Sequence, residues 1–138
     1  MIRSKKRVPS KKKLAEYPNI DYTKYLEKCV ADCERWGIPI SKKIYKNASF
    51  IKRSDSYALC ELLDSGYFRI SYTTAGFDEY GVSEKAIYNL FMHELCHTIK
   101  GCFNHLKTWK SWVKKLNGHG CKINPYPFGN KKEYEDYY

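Results

Sequence analysis

Residues 86–99 form an apolar stretch of helical length into which His93, Glu94 and His97 are set. A helix of this composition is apolar on nearly all sides, so it must run through the centre of a fold rather than over its surface. Ser83 precedes it as an N-cap, Glu84 suits the positive end of the helix dipole, and Gly101 supplies the stop. Whatever this chain builds, it builds around that helix.

Two imidazoles and a carboxylate are expensive to bury unless each finds a partner. The segment His93-Glu94-Leu95-Cys96-His97 suggests one. Positions i and i+4 share a helical face, so both histidines can reach one metal ion. Glu94 is turned by roughly 100° from His93, beside the ion rather than on it. From there it can take a proton from a water that zinc has acidified to a pKa near 7, and later give it to a leaving amine. A catalytic zinc usually takes three protein ligands. His105, beyond the turn at Gly101, is the expected third, and His119, flanked by Gly118 and Gly120, is the alternative. The metzincin spacing is excluded, because it needs glycine at position 100 and histidine at 103, where Lys100 and Phe103 stand.

The rest of the chain supplies the packing for that helix. A first helix is expected after a cap at Asn19 or Asp21, presenting Tyr22, Tyr25, Leu26, Cys29, Val30, Cys33 and Trp36 until Gly37 ends it. Pro39 forces an extended stretch. Strands are expected over 44–48, 57–63 and 67–72, the last two joined at Asp64-Ser65-Gly66, as an antiparallel sheet. A third helix over 105–117 carries Leu106, Trp109, Val113 and Leu116 as its apolar stripe and Lys107, Lys110, Lys114 and Lys115 on a basic face. The fold class is therefore α+β: a compact, zincin-like single domain with a small antiparallel sheet on a central metal-binding helix, plus two further helices.

Length allows one domain, with 138 residues in all. Residues 1–18 are expected to be a flexible basic arm, 19–128 the folded domain and 129–138 a tail. No apolar run is long enough for a membrane span, and no apolar segment follows the basic N-terminus as a secretory signal would require. A cytoplasmic protein with six reduced cysteines is the expectation, and the absence of any C-x-x-C pair argues against a zinc ribbon. A net charge of +10 favours polyanionic partners. The basic arm and the lysines of the third helix predict weak, sequence-independent nucleic-acid binding, with a merely solvated surface as the competing reading.

The segment 90–97, followed by Asn104-His105 and by Trp109 four residues on, resembles the SprT-like metallopeptidases, the group of bacterial SprT and eukaryotic Spartan. Tyr57-Ala58-Leu59-Cys60 and Gly66-Tyr67-Phe68-Arg69-Ile70 are similar to that family's strand motif and following hairpin. The resemblance covers roughly residues 22–124. It implies zinc held by His93, His97 and His105, with Glu94 catalytic and a protein or peptide as substrate. In the eukaryotic branch the substrates are proteins crosslinked to DNA, which suits a basic surface. The expected function is thus a zinc endopeptidase; the alternative is a non-catalytic zinc-containing nucleic-acid-binding domain.

Overall fold

The computed structural model describes residues 21–52, 57–73, 84–104 and 107–123. Helix α1 spans Tyr22–Arg35, β1 Ser49–Ile51, β2 Ala58–Leu62, β3 Phe68–Thr73, α2 Glu84–Cys96 and α3 Lys107–Gly118. Among the described residues, three helices and a three-stranded mixed sheet make a small α+β domain. None of these helices is long and apolar enough to cross a membrane. The proposed arm at 1–18, the Ser83 cap and the tail at 129–138 lie outside the described residues.

Local signals account for α1. Asp21 caps it, its side chain accepting from the Lys24 amide at 3.1 Å. Gly37 ends it at φ 70°, a left-handed conformation that glycine adopts without steric cost. The face buried by α1 consists of Tyr22, Leu26, Cys29, Val30, Asp32 and Cys33. It packs on α2, where the Cys33 thiol lies 3.6 Å from the Met92 sulfur.

The central position of α2 follows from its sequence. Every residue from Leu90 to Cys96 is buried, and the helix touches α1, β2, β3 and α3. Its regular part ends at Cys96, three residues short of the expected Ile99. The amides of His97, Thr98 and Ile99 bond instead to the carbonyls of Glu94, Leu95 and Cys96, a tightening to i→i−3 spacing. Thr98 assists, its hydroxyl donating to the Leu95 carbonyl at 2.7 Å and accepting from the Ser41 amide at 3.1 Å. Gly101, at φ 80°, turns the chain away.

The sheet departs from the expected antiparallel arrangement. Strands β2 and β3 form the expected antiparallel hairpin through Gly66 at φ 85°. Strand β1, however, lies parallel to β3 on its other edge, giving the order β1-β3-β2. Residues 70–73 are all buried, and a strand buried on both faces needs a hydrogen-bonding neighbour on each side. The stretch after Pro39 provides the second neighbour. The Phe68 amide donates to the Lys43 carbonyl and the Tyr45 amide to the Phe68 carbonyl. The expected strand at 44–48 therefore begins with a single bridge, Ile44 to Phe68, and resumes as β1 at Ser49 opposite Ser71. The outer chain advances five residues over that stretch while β3 advances three, so two residues bulge out.

The aromatic part of the core joins the layers. Tyr22 of α1 stacks on Tyr72 of β3 at 5.2 Å and on Phe50 of β1 at 5.5 Å, and Tyr72 meets the edge of Phe91 of α2 at 6.2 Å. Beyond α3, Asn117 exchanges two hydrogen bonds of 2.9 Å with the backbone of Ile123. Buried Asn89 of α2 accepts from the Lys122 amide at 2.9 Å, so the segment 121–123 is tied to both helices.

Candidate metal centre

Three of the buried polar side chains of α2 and its terminal turn converge. His93, Glu94 and His97 are 3%, 7% and 6% exposed. One ligand atom from each lies within 4.8 Å of the others, a grouping that could hold a single metal ion. The imidazoles are 5.1 Å apart between ring centres, and His93 Nε2 is 3.6 Å from a Glu94 carboxylate oxygen. His97 joins the group although it sits one residue beyond the regular helix, in the tightened turn.

That turn also orients His97. Its Nδ1 lies 2.9 Å from the Cys102 carbonyl oxygen. A carbonyl only accepts, so Nδ1 must carry the proton and donate it, which leaves the Nε2 lone pair for a metal. Metal-binding histidines are characteristically held by such a bond from the remote ring nitrogen. The Cys102 carbonyl is in turn positioned by the Cys102 amide, which donates to the Ile99 carbonyl at 2.9 Å.

Helix α3 closes the site from another side. Fully buried Trp109 stacks on His97 at 5.3 Å with ring planes 11° apart, and tilts against His93 at 5.0 Å. One indole thus restricts both imidazoles. The sequence places Trp109 in an apolar stripe, and nothing in the stripe's spacing marks it as the residue that meets the histidines. The Cys102 carbonyl carries no sequence signal at all, because any residue type provides one.

Burial pushes the Glu94 carboxyl up to about 8, so in the metal-free protein it is largely protonated at neutral pH. A cation beside it acts in the opposite direction and favours the carboxylate. On the neighbouring strand, burial raises the Cys60 thiol, and the Glu94 and Glu61 charges raise it further, so Cys60 stays protonated. All six cysteines are free thiols, five of them buried.

His105 lies outside the described residues. The alternative third ligand, His119, does not join the group. It is exposed and stacks on Trp36 at 4.5 Å with planes 7° apart. Among the described residues, the donor set is therefore His93, His97 and Glu94. Two borderline nitrogen donors, one in a tautomer already set for coordination, with a carboxylate beside them, fit zinc. Comparison of the chain with protein-family models, with curated proteins and with solved structures finds no match.

Proposed function

We propose that this chain is a zinc-dependent endopeptidase of SprT-like type, with His93, His97 and His105 as zinc ligands and Glu94 as general base. The observation that carries the proposal is the convergence of His93, Glu94 and His97, all buried, with one ligand atom of each within 4.8 Å of the others, on the core helix and its terminal turn. When bound there, zinc supplies Lewis acidity and a water acidified to near neutrality.

The chain's own residues do the rest. Glu94 accepts the proton of the attacking water and returns it to the amine as the peptide bond breaks. The Cys102 carbonyl keeps His97 in the tautomer that offers Nε2. Trp109 holds both rings and keeps bulk water from their inner face. Among the described residues, strand β2 lies on a sheet edge beside α2, where an extended peptide can add as a further strand.

The placement of its neighbours supports His105. Cys102 is anchored to His97, and Trp109 lies against both motif histidines. His105 stands three residues after the first anchor and four before the second, a reach of roughly 10–14 Å at most. The substrate we propose is a protein or peptide. The charge of +10 extends the proposal to weak, sequence-independent nucleic-acid binding and to DNA-associated proteins as targets, in the cytoplasm.

Elemental analysis paired with one substitution tests the reading. Wild-type protein reconstituted with zinc should hold about one ion per chain, with Zn–N distances near 2.0–2.1 Å. Glu94→Gln should keep that ion and lose peptidase activity by about 10²–10⁴-fold. A Glu94→Gln protein that cleaves as fast as wild type refutes the base assignment, and a chain that takes up no zinc refutes the whole proposal.

A further inference from the structure

Beside His97 lies a cavity of about 370 Å³. Its size is near the lower limit of ligand pockets, which run from about 300 to 1,000 Å³. It suits one or two side chains rather than a docked helix. The sheet contributes Leu62 and Phe68, and the turn after α2 contributes Ile99 and Phe103. His97 itself lines the cavity, and Lys100 is a charged lining residue.

Two features separate this cavity from an accidental surface depression. The first is the exposure of its walls. Leu62 is 55% and Phe103 57% exposed, the two largest values among the exposed large hydrophobic residues described. Both belong to the same cavity, although isolated apolar residues on a protein surface are normally scattered. The second is rigidity. Phe103 meets Phe68 at 6.2 Å between ring centres, and the Ser41 amide bonds to the Thr98 hydroxyl at 3.1 Å. Those contacts join the sheet, the turn and the stretch after Pro39 around the cavity. Leu62 is the last residue of β2 and lines the cavity together with His97, so a peptide aligned along β2 would pass the cavity beside that histidine.

We infer that this cavity is a specificity pocket that receives a large apolar or aromatic side chain of the substrate next to the scissile bond, with Leu62 and Phe103 as its selecting walls. The inference rests on the peptidase reading of the site, because that reading places the substrate beside His97. An apolar side chain there covers Leu62 and Phe103 and releases water from all three surfaces. A neutral polar side chain set against Leu62, Phe68 and Phe103 would lose hydration without that gain.

The test uses zinc-loaded full-length protein and two measurements. In the first, a peptide library randomised at three positions on either side of the cleaved bond is digested and the products are sequenced by mass spectrometry. Leucine, methionine or phenylalanine should be enriched by about tenfold or more at one position adjacent to the bond. Phe103→Ser and Leu62→Ser, both at exposed positions, should each lower that ratio while leaving zinc content and far-ultraviolet circular dichroism as in wild type. In the second, calorimetry compares two small hydroxamates that differ only in a benzyl or a methyl arm. Wild type should prefer the benzyl compound by about tenfold, and Phe103→Ser should abolish the preference. Cleavage without residue preference, or a preference unmoved by both substitutions, overturns the pocket and leaves the peptidase standing. Failure of every peptide to be cut and of both hydroxamates to bind overturns the peptidase reading and the pocket with it.

Discussion

Helices α1 and α2 each carry a pair of metal-capable side chains at i and i+4, both pairs buried, and the two pairs have opposite fates. In α1, Cys29 and Cys33 face the neighbouring helix separately. The Cys29 thiol donates to the Tyr88 carbonyl at 3.4 Å, and the Cys33 thiol meets the Met92 sulfur. Burial holds both thiols protonated, Cys33 up at about 12, so neither offers the thiolate that a metal requires. In α2 and its terminal turn, His93, Glu94 and His97 each bring a ligand atom within 4.8 Å of the others, and the outer ring nitrogen of His97 is already committed. Spacing is thus necessary for a two-ligand face and far from sufficient. What distinguishes the pairs is the set of atoms opposite them: a backbone carbonyl and a thioether, on separate residues, for the cysteines, and a convergent group with a carboxylate for the histidines.

The sharpest way to break that comparison is to delete each pair in turn. His97→Ala should lose zinc outright and activity with it, whereas the double substitution Cys29→Ala, Cys33→Ala should keep about one zinc per chain. Elemental analysis of both purified proteins decides. A cysteine-free α1 that releases the metal would show that the thiols belong to the site after all.

A second contrast is electrostatic, and its sign follows from Glu94. The carboxyl titrates near 8 in the folded metal-free protein and near its ordinary value of 4.5 when unfolded. Between those values the folded state holds the extra proton, so the stability due to this group is greatest below about pH 4.5 and is lost as pH rises through 8. Thermal melts of chelator-treated protein from pH 4.5 to 8 should therefore show wild type losing stability relative to Glu94→Gln as pH rises. Parallel curves for the two proteins would mean that Glu94 is not buried as described. Cys33 provides the internal control, because at about 12 it does not titrate in this window.

The smallest effect lies at the start of α1. Asp21→Ala removes the acceptor for the Lys24 amide and should cost about 1 kcal/mol, read from the denaturant midpoint. Zinc content should not change, since the cap serves α1 and none of its bonds reaches the donors on α2.

Features set by nearest neighbours in the chain were legible in advance. The Asp21 cap, the Gly37 stop and the hairpin at Gly66 each depend on a few consecutive residues, and the convergence of His93 with His97 depends on one helical turn. Features set by distant partners were not. The parallel pairing of β1 with β3 comes from the burial of 70–73, which requires a neighbour on both edges of β3. The ring of Trp109 against the two imidazoles, and the closure of Leu62 with Phe103, bring together residues from separate elements for which one sequence has no periodic signature. The substitution of His119 for His105 as a ligand loses its appeal for the same reason, because the stack on Trp36 is a tertiary contact.

The bond from His97 to the Cys102 carbonyl has an evolutionary consequence. Its acceptor is part of the main chain, so changing the side chain at position 102 does not delete it. Protection against point mutation at that position is therefore built into the centre, and the vulnerability moves to whatever shapes the backbone between 97 and 102. Gly101 is where it concentrates. A methyl group there meets nothing within 4 Å, yet the left-handed conformation at φ 80° costs an alanine roughly 1–2 kcal/mol. A lineage of such proteins could thus replace the cysteine by any side chain its buried place accepts, while the orientation of His97 is tuned through Gly101.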